Sequence, residues 1–173
     1  EQLQSFGFDM ELDEARRVIS VYREANFRIT TLWRDAGYML ENMARGDSVQ
    51  FGLDGVVAVD ATKKAIMLPS GLLMRYDELA GEQGEQGVEY TYKVRRGRNR
   101  IYGGKVIENV CQAIARCIIG EQMLKIAKRY RVVLTVHDSV VCCVPETKIK
   151  EAREYIESCM RWTPHWAAGM PVN

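Results

Sequence analysis

Between Leu12 and Ala44, apolar residues recur every three or four positions: Val18, Tyr22, Ala25, Ile29, Leu32, Ala36, Leu40 and Met43. This spacing follows the 3.6-residue turn of an α-helix. A helix of that length is a rod of about 45 Å at 1.5 Å per residue. Such a rod spans a domain or links two, so the remaining elements must pack along it. Arg16, Arg17, Arg23 and Glu24 lie off the apolar stripe. Asn26 and the β-branched pair Thr30-Thr31 lower helix propensity midway, and a kink is expected there. Gly46-Asp47 is the expected helix end.

The pattern changes over residues 48–104. Gly52, Gly55, Pro69 and Gly71 punctuate short β-type runs at Val56–Val59, Ala65–Leu68, Leu72–Tyr76 and Val88–Val94. Leu68-Pro-Ser-Gly-Leu72 has the composition of a hairpin turn. Gly81-Glu-Gln-Gly-Glu-Gln-Gly87 reads as a flexible exposed loop tip. From Lys105 to Lys128 the helical period returns, with Ile107, Val110, Ile114, Cys117, Ile118 and Leu124 on the apolar side. Lys148–Met160 reads as a terminal helix, and Trp162–Asn173 as an irregular end. Together these runs predict an α+β fold: long helices packed on a small antiparallel sheet.

At 173 residues, 47% hydrophobic and 27% charged, the chain has material for a real core. The net charge of +1 excludes a highly charged disordered tail, while a local basic patch can hide within it. No apolar run approaches the roughly 20 residues that cross a bilayer, and no membrane partner is expected. Five cysteines, none in C-x-x-C spacing, read as reduced core thiols of an intracellular protein.

Three features carry chemistry. The first is Asp138, in the run Val132-Val-Leu-Thr-Val-His-Asp-Ser-Val-Val-Cys-Cys-Val144. Apolar runs on both sides of His137-Asp138-Ser139 read as two strands, buried on both faces, with the polar tripeptide at the turn. No Lys or Arg lies within five residues of Asp138 on either side. A carboxylate so placed either occupies a turn or meets a cation, for which Mg²⁺ with a phosphate-bearing substrate is the usual partner. A His-Asp metal phosphohydrolase fits poorly, because the sole other histidine is His165, in the irregular end.

The second is a basic run, Lys93, Arg95, Arg96, Arg98, Arg100 and Lys105, with no acid between residues 93 and 105 and with Tyr90, Tyr92 and Tyr102 interleaved. It is either a phosphate-contacting strip or a solvated loop balanced by Glu78, Glu82, Glu85 and Glu89. The third is the polar side of the second long helix, where Lys105, Asn109, Gln112 and Arg116 are donors for DNA or an ordinary wet face. The order along the chain suggests one surface for a nucleic-acid end and a metal.

Ile101-Tyr-Gly-Gly-Lys-Val-Ile-Glu-Asn-Val-Cys-Gln-Ala-Ile-Ala-Arg116, followed by Leu134-Thr-Val-His-Asp-Ser-Val-Val141, resembles the C-terminal palm of family A (DNA polymerase I-like) DNA polymerases, in their phage-type form. The Leu68-Pro-Ser-Gly71 turn is similar to the phage-type version too. The combination of Y-G-G-K-x-x-E-N, Q-A-x-A-R and V-H-D carries the resemblance, which covers essentially the whole chain. It implies a template-directed polymerase adding deoxynucleotides (dNTP) to the primer end of primer-template DNA with two Mg²⁺ ions, in the cytoplasm of a bacterial or phage-infected cell. It implies that Asp138 is the motif C metal ligand and that His137 supports the primer end. Asn109, Gln112 and Arg116 would face the primer-template. Ser139 stands where the more familiar pattern has Glu. The motif A aspartate and the fingers residues that grip the nucleotide are absent and would lie before Glu1. The expectation is therefore a truncated C-terminal polymerase segment (long helix 12–44, β-rich basic insertion 48–104, palm helix, hairpin and terminal helix 105–173), inactive without an N-terminal polymerase partner. A noncatalytic DNA- or protein-binding module derived from a palm, or half of a split polymerase, are the alternatives.

Overall fold

The computed structural model describes residues 11–51, 57–60, 63–85 and 87–172, with 57–59 described by backbone alone. Val56 and the two glycines expected to punctuate the first β run lie outside them. The long amphipathic stretch forms two helices, α1 (Leu12–Ala25) and α2 (Phe27–Arg45), broken at Asn26. The Asn26 side chain donates to the Tyr22 carbonyl at 2.9 Å, and Thr30 donates its hydroxyl to the Phe27 carbonyl at 3.0 Å. Short polar side chains that bond nearby backbone in this way bend helices. Helix α1 buries no residue, whereas α2 buries Ala36, Met39, Leu40 and Met43. Gly46 ends α2 at φ 99°, a left-handed cap whose N–H reaches the Asn42 and Met43 carbonyls.

Three separate antiparallel sheets follow. Strands β1 (Gln50–Phe51), β2 (Val57–Asp60), β3 (Ala65–Met67) and β4 (Leu73–Arg75) form a meander in chain order. The expected turn joins β3 to β4. Gly71 donates to the Leu68 carbonyl at 2.8 Å and adopts φ 81°, so a Pro-initiated turn closes on a glycine in the left-handed region. Strands β5 (Ala80–Gly84), β6 (Gly87–Lys93) and β7 (Arg98–Ile101) form the second sheet. Here the glycine-rich stretch departs from the expected loop tip. Its first half is strand β5, paired from Ala80↔Thr91 to Gly84↔Gly87. The side chains of Val88, Glu89 and Tyr90 fold over the space left by Gly81 and Gly84, so these positions need to be small.

Helix α3 (Gly103–Ile126) is the spine of the molecule. It crosses α2 so closely that a Cβ on Gly103 would lie 1.8 Å from the Trp33 carbonyl oxygen. Above this crossing sits the larger core, in which the buried α2 residues meet Ile66, Leu68, Tyr76, Leu79, Ile101, Val106 and Val110. At the other end of α3, the hairpin β8 (Arg131–Val136) and β9 (Ser139–Cys143) packs on helix α4 (Ile149–Met160) around Ile126, Tyr130, Ala152 and Cys159.

The chain is thus α+β, with helices and small antiparallel sheets. Two further expectations are corrected. The hairpin is covered on one face, by α4. The opposite face is open, with Leu134, Val136 and Val141 all exposed, because among the described residues no further strand or helix covers it. Of the five cysteines, all free, Cys159 alone is buried, while Cys111 and Cys143 are exposed. Among the described residues no helix is long and apolar enough to cross a membrane.

Candidate catalytic hairpin and nucleic-acid interface

The β8–β9 register pairs Val136 with Ser139, which leaves His137 and Asp138 as a two-residue loop. His137 takes φ 53°, and Asp138 is not among the positive-φ residues. Positive φ at the first loop position alone is the sign pattern of a II′ turn, where glycine is the usual occupant. A register shift between Val132 and Leu134 re-aims the strand. It places Val132, Val140 and Cys142 toward α4 and Leu134 and Val136 outward.

Asp138 is exposed and makes no ion pair among the described residues. It stands on the rim of a cavity of about 450 Å³ whose wall is the Cys111–Gln122 side of α3, with Met160, Met170 and Val172 opposite. The wall is apolar except at its base. There Gln122, 1% exposed, donates to the carbonyls of Met160 at 2.6 Å and Trp162 at 2.9 Å, and its own oxygen has no donor among the described residues. These two bonds tie the segment after α4 back onto α3. Trp166 Nε1 donating to Glu121 at 2.7 Å and Lys125 lying 4.3 Å from the Trp162 ring centre reinforce them.

Among the described residues no three His, Cys, Asp or Glu side chains converge as a metal site. Asp138 supplies one carboxylate beside open space, and Ser139 adds no anion. That donor set fits one protein contact to a hydrated Mg²⁺, an ion that keeps several waters and takes substrate phosphate oxygens. It does not form a closed cage.

The basic run divides into bonded and free groups. Glu78 accepts from Lys93 Nζ at 2.6 Å and pairs with Arg98 at 3.5 Å. Arg98 also donates to the carbonyls of Glu78 and Thr91 at 2.6 and 3.1 Å, so it staples β6–β7 to the loop before β5. The Lys93 ammonium holds the Glu78 carboxyl below the usual glutamate range, with Arg98 adding to the effect. Arg100 pairs with Glu89, and Lys105 with Glu108, at 2.6 and 2.7 Å. Arg95 and Arg96 project from the β6–β7 turn, exposed and in no ion pair among the described residues. Arg116 is likewise exposed and unpaired among them. The balancing acids weighed from sequence are thus realised at Glu78 and Glu89.

The polar side of α3 is also partly committed. Asn109 Nδ2 donates to the hydroxyl of buried Tyr76 at 3.2 Å, and Gln112 Nε2 to Glu108 at 3.3 Å. Burial raises the Tyr76 hydroxyl pKa, which the Asn109 bond partly offsets. At 100° per residue, the stripe through Lys105, Asn109, Gln112 and Arg116 is turned about 120° from the Cys111–Gln122 side that faces Asp138. The single continuous surface suggested by chain order is therefore wrapped around the helix.

Sequence reading passed over a second cavity, of about 770 Å³, where the α1–α2 elbow meets the start of α3. Arg23, Trp33, Arg34 and Tyr102 line it, with Gly104 and Glu108. The available signal was Tyr102 before two glycines: an aromatic at a helix N-cap, where a side-chain oxygen is preferred.

No family model matches the chain, and no solved structure does. Among curated proteins it is similar to the DNA polymerase of Bacillus phage SP02, at 27% identity over 183 aligned residues. The match takes in 99% of this chain and spans 28% of the length of that polymerase.

Proposed function

We propose that this chain is the C-terminal palm segment of a phage-type, family A DNA polymerase, which extends a primer by template-directed nucleotidyl transfer. The observation that carries the reading is Asp138: a carboxylate at a hairpin tip, beside an open cavity, with no cation upon it among the described residues. The similarity to a phage polymerase along the whole chain supports it.

In this reading the primer 3′ hydroxyl releases its proton to solvent as its oxygen attacks the α-phosphorus of the incoming nucleotide, the α–β phosphoanhydride bond breaks, and pyrophosphate leaves. Asp138 would hold Mg²⁺, which when bound neutralises phosphate oxygens in the transition state. His137, fixed beside it by the turn, contacts the primer end. Arg95, Arg96 and Arg116, exposed and in no ion pair among the described residues, can meet phosphates. Arg100 and Lys105 can do so by exchanging carboxylate for phosphate, since exposed ion pairs are worth about 0–1 kcal/mol, whereas Arg98 would first have to give up its bonds to the Glu78 and Thr91 carbonyls. Two-metal chemistry needs carboxylates from more than one strand. A further carboxylate and the nucleotide-gripping groups therefore come from outside the described residues, and the isolated chain does not extend primers.

The test is primer extension by the chain alone and after mixing with the polypeptide encoded upstream of Glu1. Activity is expected in the mixture, lost by about 100-fold or more in Asp138→Ala. Extension by the chain alone, or equal activity of the variant in the mixture, overturns the reading. A second reading, a noncatalytic binding module, is favoured by the absence of any buried residue in α1. Salt-dependent primer-template affinity unchanged in Asp138→Ala, with no activity in any mixture, would select it.

A further inference from the structure

We propose that the cavity between the α1–α2 elbow and the start of α3 is a subsite for single-stranded nucleic acid, taking one or two unpaired nucleotides. This rests on the nucleic-acid side of the reading above and not on Asp138 chemistry. Two aromatic rings meet at one glycine. A Cβ on Gly104 would lie 3.3 Å from the Tyr102 ring and 3.7 Å from the Trp33 ring, so the rings come within about 7 Å of each other. Tyr102 is 62% exposed although it borders the cavity, leaving a ring face available to a ligand.

The charges suit a phosphate. Arg23 is exposed and in no ion pair among the described residues. Among the described residues the one carboxylate paired with Arg34 is its chain neighbour Asp35, at 3.8 Å with both side chains at least half exposed. Such a pair is readily exchanged. Glu108, the acid of the lining, already accepts from Lys105 and Gln112. Arginine beside an exposed aromatic ring is the combination that holds single strands, through phosphate contacts and base stacking. A duplex keeps its base faces stacked inside the helix, so the rings select unpaired nucleotides. An inorganic phosphate would leave the rings unused, and an apolar molecule would leave the arginines unused.

The experiment measures fluorescence anisotropy of a labelled oligothymidylate and of a duplex, at several salt concentrations, with the 173-residue chain. Tyr102→Ala is expected to weaken single-strand binding by about 5- to 150-fold, and Tyr102→Phe to restore most of it. Arg23→Ala/Arg34→Ala is expected to reduce the log–log salt slope by about 1.4, or 0.7 per phosphate. Arg153→Ala, an exposed arginine of α4, should change neither, and melting curves should overlay throughout. Equal single-strand affinity of wild type and Tyr102→Ala, or an equal loss on duplex, overturns the proposal. Thymidine monophosphate competing as well as the oligonucleotide would make this a mononucleotide pocket and overturn the strand assignment. Cleft variants that lose single-strand binding while mixtures fail to extend primers leave this site standing and remove the polymerase reading. Extension with unaffected cleft variants does the reverse.

Discussion

The α2–α3 crossing can be tested with a single methyl group. In Gly103→Ala the new Cβ would sit 1.8 Å from the Trp33 carbonyl oxygen and 2.8 Å from the Gly37 nitrogen. Both obstacles are backbone, so no rotamer change relieves them. An ordinary contact of about 3.4 Å requires the two helices to part by about 1.6 Å, which is a large fraction of a carbon–carbon contact distance. The crossing is flanked by Ala36, Leu40, Met43, Val106 and Val110, all buried, and they lose packing together. Overpacking in cores typically costs about 1–3 kcal/mol, and backbone-on-backbone conflict belongs at the upper end. For a chain of this size, about 3 kcal/mol lowers Tm by about 6–12 °C. Gly120→Ala is the matched control: nothing lies within 4 Å of its Cβ, and it sits inside the same helix. It should gain about 0.5–1 kcal/mol from helix propensity. Thermal melts followed by circular dichroism measure both. If Gly103→Ala melts with the wild type, the helices do not cross at that glycine, and the placement of α3 and of both cavities along it is wrong.

Other expectations follow from particular contacts. His137→Gly should leave stability unchanged or raise it by up to about 1 kcal/mol, because the positive φ at this position is strained for a side chain and free for glycine. Chemical denaturation would show this, and a loss above 1 kcal/mol would contradict the turn. Gln122→Met should cost about 2 kcal/mol, since it removes two part-buried hydrogen bonds to the Met160 and Trp162 carbonyls. Limited proteolysis should then open the segment after α4 first. The Glu78 carboxyl is held low by Lys93, so its contribution is complete above the ordinary glutamate pKa of about 4.3 and is lost as pH falls through the lower folded value. Glu78→Gln should therefore melt below the wild type at neutral pH, and the two curves should converge under acid conditions. A gap that persists below that range would assign the difference to packing.

Much of the architecture can be read from local pattern. The helical period at Leu12–Met43 and at Ile107–Leu124 locates the helices to within a few residues, and Asn26 marks the break because its side chain bonds backbone within its own turn. The Leu68–Leu72 turn follows from proline and glycine placement. The β5 strand was hidden because a run of Gly, Glu and Gln has low strand propensity. It forms because β6 lies beside it and Tyr90 and Val88 fill the space its glycines leave. Propensity is a property of a residue, and that pairing is a property of two segments.

The candidate site divides along the same line. Local chemistry alone isolates Asp138, because an acid flanked by ten uncharged residues in two β-branched runs is visible without a fold. Whether that acid meets open space, which of the basic groups remain unpaired, and how far the polar stripe of α3 turns from the hairpin are questions of distance between segments remote in sequence. Glu78 reaches Arg98 across twenty positions, and Asn109 reaches Tyr76 across thirty-three. Coulomb attraction and burial act through space, so the charges that cancel and the cavity that stays open are settled only when α2 and α3 close on Gly103 and bring those segments together.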